Sequence, residues 1–392
     1  MKNNNTPNKK KKNVGGLLIY IILLVISGCV GFFGADAIDA LLGGNDALLV
    51  PYLLLGFAGL ILGFVLQIIL HEGGHLVFGL MSGYSFLSFN VFGFVWHKGE
   101  NGRFRMSRHQ IAGIGGQCLM VLPPYNDGNF PFILYNLGGV LMNLISAALF
   151  GLLMLLLPVT WLRILLAGQV IAGLISAVTN GLPIPGGTVQ NDASNILCIR
   201  KDATARRAFW VQMSVAAAQG RGLRLKHMPD DWFEPLPEEK MDNPIVGSVA
   251  VMNTNRLMDQ LDFEGALAEI RKLLAREKGV LGIYRALMTC DGAVCEMVLS
   301  EPGELTARLE DAEVSQVLKA MKTSPTVLRT RYAVSLLKDR DAAAAEKHLA
   351  AFEAAARQYP NPQDIVSERE LIFAVQTAAL RSTLPAQKEA AL

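Results

Sequence analysis

The sequence predicts a mainly α, polytopic membrane protein. It is expected to have about four transmembrane helices, a small membrane-associated β-hairpin and a C-terminal α-helical, tetratricopeptide-like soluble domain. Three observations predict this. Residues 15–35, 47–70, 131–162 and 164–191 carry no charge, and each run reaches the roughly 20 residues needed to cross a bilayer core. Residues 86–106 combine aromatic and β-branched residues with turn chemistry. From about residue 195 the chain becomes charged and Ala-rich, with apolar residues at helical spacing.

The elements follow in order. Residues 1–14 form a basic tail ending in Lys9 to Lys12. The first run, 15–35, is longer than a typical signal-peptide core and no clear A-x-A cleavage site follows it, so it reads as a retained helix. The next loop holds Asp36, Asp39 and Asp46 and no Lys or Arg, which by the positive-inside rule places the N-terminus in the cytosol. The remaining spans are expected at about 47–79, 131–157 and 160–180, the last two joined by the short hinge PVTWLR. Residues 15–194 thus form a transmembrane domain and 195–392 a cytosolic helical domain, with both termini cytosolic. The lysine-rich start and compact design suit a bacterial plasma membrane.

FLSFNVFGFVW (86–96), KGENG (98–102) and the following RFRM predict a β-hairpin over about 85–106 with its turn at 98–102. IAGIGGQCLMVLPP (111–124) is apolar but too short to span, and reads as a re-entrant or interfacial piece. In the soluble half, 257–275 and 332–360 each show apolar helical spacing around a central turn, the plan of a degenerate tetratricopeptide pair or of a generic helical bundle. Cys29, Cys118, Cys198, Cys290 and Cys295 are odd in number and scattered, which argues against a disulfide framework. The net charge of +2 averages over two unlike halves; no nucleic-acid partner is expected.

The chemistry concentrates in HEGGH (71–75), inside an apolar run. Ionisable groups are costly in a bilayer, so such a cluster is a functional site by default. His71 and His75 lie one turn apart on one helix face and can hold one zinc ion, while Glu72 is offset by one position as a general base. A catalytic zinc usually takes three protein ligands. Residues 128–191 contain no Asp or Glu; the first carboxylate after them is Asp192, on the same predicted side of the membrane as HEGGH. His97 and His109 are weaker candidates for the third ligand.

HEGGH in a membrane segment, GGVLMN (138–143) in a later helix and NGLPIPGGTVQNDA (180–193) after the next helix together resemble the site-2 protease family of intramembrane zinc metalloproteases. The form is a bacterial type without a PDZ domain, and the resemblance covers roughly 48–200. It implies that His71, His75 and Asp192 bind Zn2+ and that Glu72 is the catalytic base. Asn143 matches a family Asn whose amide serves the substrate backbone or oxyanion, or packs helices. The chain departs from the commonest pattern in the twelve-residue step from Asn180 to Asp192 and in Ala193 after Asp192.

The expected activity is hydrolysis of peptide bonds in or near transmembrane segments. The substrate would be a single-span membrane protein or a peptide precursor, and the cytosolic domain would receive a protein partner. The 86–106 hairpin offers either an edge for an extended substrate segment or packing at the membrane surface. Pro183, Pro185, Gly186 and Gly187 keep the chain non-helical so that Asp192 can turn toward the metal. The alternative function is a zinc-binding pseudoprotease or scaffold.

Overall fold

A computed structural model describes residues 45–98, 104–108, 115–126, 128–183, 191–299, 302–359 and 361–383, with Gly34 and Gly43. The span expected at 15–35 lies outside them. Among the described residues three helices are long and apolar enough to cross a membrane: α1 (Leu49–Met81), α2 (Ile133–Leu156) and α3 (Thr160–Gly181). They match the other three predicted spans within a few residues. Apolar residues all round favour lipid: Leu54, Phe57, Leu62, Leu155 and Leu156 are exposed on the protein surface. At 33 residues, α1 is about 50 Å long, more than a bilayer core requires.

The chain divides into two compact units, one of residues up to Gly74 plus Gly139–Asn195, the other of His75–Gly138 plus Ile196 onward. In the first, small residues let helix backbones meet closely. A Cβ on Gly63 would stand 2.8 Å from the Gly168 carbonyl oxygen and 2.9 Å from the Ala172 Cβ, and one on Gly168 would stand 2.4 Å from the Gly59 carbonyl carbon. Gly59 and Gly63 are thus an i, i+4 seam of α1 against α3.

The second unit contains a four-stranded antiparallel sheet in the order β3-β2-β1-β4, with β1 Ser85–Val91, β2 Phe94–Lys98, β3 Phe104–Arg108 and β4 Gly116–Val121. This corrects the expected single hairpin. The stretch 86–96 is itself a hairpin, turning at Phe92 (φ 52°) and Gly93 (φ 82°) between the paired residues Val91 and Phe94. Positive φ at both central residues is the two-residue turn that matches strand twist. RFRM contributes to a third strand, pairing Phe94 with Arg108 through Lys98 with Phe104. The re-entrant reading of 111–124 is also overturned: Gly116–Val121 pairs with β1, so its backbone polar groups are satisfied by a ladder.

The helical part begins with α4 (Asp192–Ile199) and α5 (Ala203–Gly220), followed by α6 (Pro244–Asp259), α7 (Phe263–Leu274), α8 (Gly282–Leu299), α9 (Glu304–Arg308), α10 (Ala312–Ala320), α11 (Pro325–Ala333), α12 (Ala342–Ala356) and α13 (Pro362–Thr383). Starts are capped as the sequence dictates: Asp202, Asp262 and Asp341 accept from backbone amides of α5, α7 and α12. Both predicted central turns occur, at Leu261 (φ 60°) and Arg340 (φ 54°). One apolar core runs from Tyr84, Met120 and Tyr135 through Phe209 to Ile270 and Leu371, so the sheet and α5 share a core; a second lies around Ala293, Tyr332 and Phe352. Trp210 Nε1 donates to the Pro123 carbonyl at 3.0 Å.

Candidate metal centre

The site is built on α1. The helix runs unbroken through Gly74 and His75, so His71 and His75 are fixed one turn apart by the helix itself. His71 Nδ1 lies 2.7 Å from Asn143 Oδ1 on α2, and its Nε2 lies 3.1 Å from Asp192 Oδ2 at the start of α4. His75 Nδ1 lies 2.8 Å from the Tyr135 carbonyl oxygen. One donor atom each from His71, His75 and Asp192 lies within 4.8 Å of the others. Glu72, the residue between, is buried.

The hydrogen bonds fix the tautomer of each ring. A backbone carbonyl only accepts, so His75 Nδ1 carries the proton and donates to Tyr135. Asn143 Nδ2 donates to Gln67 Oε1 at 2.7 Å and to the Gln67 carbonyl at 3.1 Å. That orients the amide so its oxygen faces His71, whose Nδ1–H donates to it. Gln67 Oε1 also accepts from Ser146 Oγ at 3.0 Å. Both imidazoles are therefore held through Nδ1, the arrangement that orients metal-binding histidines.

Gly139 lets His71 reach this position. A Cβ there would stand 2.3 Å from His71 Cε1 and 2.4 Å from its Nε2. Asp192 is placed by its neighbour. Asn191 Nδ2 donates to the carbonyls of Thr179 (2.8 Å) and Leu182 (2.6 Å), while its Oδ1 accepts from the Ser194 amide at 3.0 Å. Asn191 thus caps α4 and ties its first turn to the end of α3.

The donor set fits a zinc ion. Two imidazole nitrogens and one carboxylate oxygen are ordinary zinc ligands, and tetrahedral coordination at roughly 2.0–2.1 Å separates ligand atoms by roughly 3.4 Å. With its Nδ1 protonated, His71 Nε2 and an ionised Asp192 Oδ2 are two acceptors at 3.1 Å, a pairing that a shared cation or proton makes favourable.

The structure thus brings together His71, His75, Asp192 and Asn143. Both ends of the Asn143 amide are engaged, on His71 and on Gln67. His97 stands in β2 opposite Arg105; His109, Pro185, Gly186 and Gly187 lie outside the described residues, and Pro183 is exposed just past α3. Sequence reasoning missed Gln67, Gly139, Ser146 and Asn191. Two signals were present: Gln67 is four residues before His71, on the same helix face, and Gly139 is four before Asn143. No family model matches the chain, and neither curated proteins nor solved structures give a match.

Proposed function

We propose that the chain is an intramembrane zinc-dependent endopeptidase of the site-2 protease kind, hydrolysing peptide bonds in or near the transmembrane segment of a single-span protein or peptide precursor. The observation that carries the reading is the convergence of His71, His75 and Asp192, each histidine held through Nδ1, beside the buried carboxyl of Glu72. In this reading His71 Nε2, His75 Nε2 and an Asp192 oxygen hold the zinc. When bound, the ion supplies a polarised scissile carbonyl and a water whose pKa falls toward about 7. Glu72 takes the proton of the attacking water and delivers it to the departing amide nitrogen. Asn143 and Gln67 keep His71 in one tautomer and one orientation throughout.

The substrate must be extended to expose its peptide bond. β3, the edge strand of the sheet among the described residues, with Phe104 and Met106 exposed, supports capture of such a segment by strand addition. The plasma-membrane location, the cytosolic termini, a fourth span at 15–35 and the tetratricopeptide character of the helical part belong to the same proposal.

The test is Glu72→Gln in proteoliposomes containing a single-span reporter. Cleavage is expected to vanish while zinc stays bound; cleavage at the wild-type rate would remove Glu72 as base. Biological function retained by the inactive variant would favour the scaffold alternative. Comparing membrane proteomes of the two strains is expected to reveal the accumulating precursor.

A further inference from the structure

Ionisable side chains are also buried within the helical part, around a cavity of about 260 Å³ bounded by residues of α5, α6, α8, α11 and α13. Its charged walls are Arg224 and Arg329 against Asp259, Asp291, Asp364 and Glu368, two cations for four carboxylates. Arg224 pairs with Asp259 and, outside the walls, with Glu370 at 2.7 Å. Arg329 is 1% exposed and is shared between Asp291 and Glu368, its Nη1 3.1 Å from Glu368 Oε2. Asp364 accepts from Asn361 (3.2 Å) and Gln219 (3.4 Å) and makes no salt bridge among the described residues. Burial raises the carboxyl pKa of Asp291, Asp364 and Glu368 despite these contacts.

Two further observations describe a ligand. Arg329 lines the cavity, and its buried Nε has no hydrogen-bond partner among the described residues, leaving a donor for a carbonyl or carboxylate oxygen. Tyr284 and Tyr359 also line the cavity, and tyrosine faces attract ammonium and guanidinium groups. A half-buried carboxylate without a cation, as at Asp364, is costly, and the volume suits a side-chain head group with adjoining backbone better than a drug-sized molecule.

We propose that this cavity binds a peptide segment bearing lysine or arginine, seating the cationic head near Asp364, Asp291 and Glu368 and a neighbouring backbone carbonyl at Arg329. The positive-inside bias concentrates such residues on the cytosolic flanks of membrane-anchored proteins, which makes the flank of a cleaved substrate the natural source. That link rests on the protease reading; the pocket does not.

The experiment uses the full chain in detergent micelles and the anisotropy of a labelled Lys/Ser peptide, with a Glu/Ser peptide and spermidine as comparators. The Lys/Ser peptide is expected to bind and the Glu/Ser peptide not. Loss of a charged hydrogen bond predicts roughly tenfold or more weaker binding for Asp364→Asn. Asn255 is an exposed residue of the cavity lining, so Asn255→Trp is expected to obstruct entry without affecting folding; it decides the matter if the buried variant unfolds. Equal binding of both peptides, or undiminished binding by Asn255→Trp, overturns the proposal. So does tight binding of spermidine without the peptide. Glu72→Gln protein is expected to bind the peptide as wild type does, so failure of the pocket and failure of the protease reading are separate results.

Discussion

Gln67 sets the orientation of the candidate centre through Asn143. Its side-chain oxygen holds the Asn143 amide, which in turn holds His71. Gln67→Leu is therefore expected to leave the helix intact and to weaken zinc binding roughly 10–100-fold, the usual effect of losing an outer partner, as read by competition with a chelator. Gly139→Ala places a methyl against the His71 ring and is expected to abolish zinc binding in the same assay. In the helical part, burial pushes the Cys290 thiol up to about 12 and the Cys295 thiol higher still. Both are expected to resist alkylation near pH 8 in the folded protein and to react after denaturation, since the thiolate is the nucleophile. The cluster of His71, His75 and Asp192 was legible because HEGGH and a carboxylate-free stretch are both strong patterns. Gln67 and Asn191 were not, because a polar residue's partners depend on which helices meet.

At the scale of elements, three of the charge-free runs predicted helices within a few residues, as did the helical periodicities at 257–275 and 332–360. The sheet was half legible. Phe92 sits at φ 52°, where phenylalanine is a poor choice and Asn, Asp or Gly would be expected. The tight turn was therefore hidden inside what looked like one long strand. Phe92 is 42% exposed, so replacing it sacrifices only part of a phenylalanine's packing. Phe92→Asn is expected to stabilise the fold by about 1 kcal/mol through relief of left-handed strain, measured as a rise in thermal midpoint. The fourth strand was misread because an apolar stretch of that length fits a buried strand as well as an interfacial helix.

For the whole molecule, two sets of carboxylates pull stability in opposite directions with pH. The Arg224 guanidinium bonded to Glu370 holds its carboxyl down to about 2. That contribution is present above the ordinary glutamate range and is lost as pH falls toward 2. Glu370→Gln is thus expected to be less stable than wild type near neutrality, the difference closing in acid; partial exposure of Glu370 keeps it modest. Asp291, Asp364 and Glu368 act the other way. Burial raises their pKa, so they favour folding most when protonated and less as pH rises through their folded values. The division into units was only partly legible: the sheet, placed by sequence with the membrane helices, shares a core with α5, a pairing no local pattern announces.

Helix α1 carries both the packing seam at Gly59 and Gly63 and, farther along, the donors at His71 and His75. A residue inserted between Gly63 and His71 would rotate the histidines by about 100° relative to that seam, since each residue turns the helix by that angle. Apart from Gln67, this stretch is expected to absorb substitutions one at a time, but not a change in its length. Scanning single-residue insertions through 64–70 is expected to eliminate zinc binding at every position, whereas insertions before Gly59 shift seam and donors together.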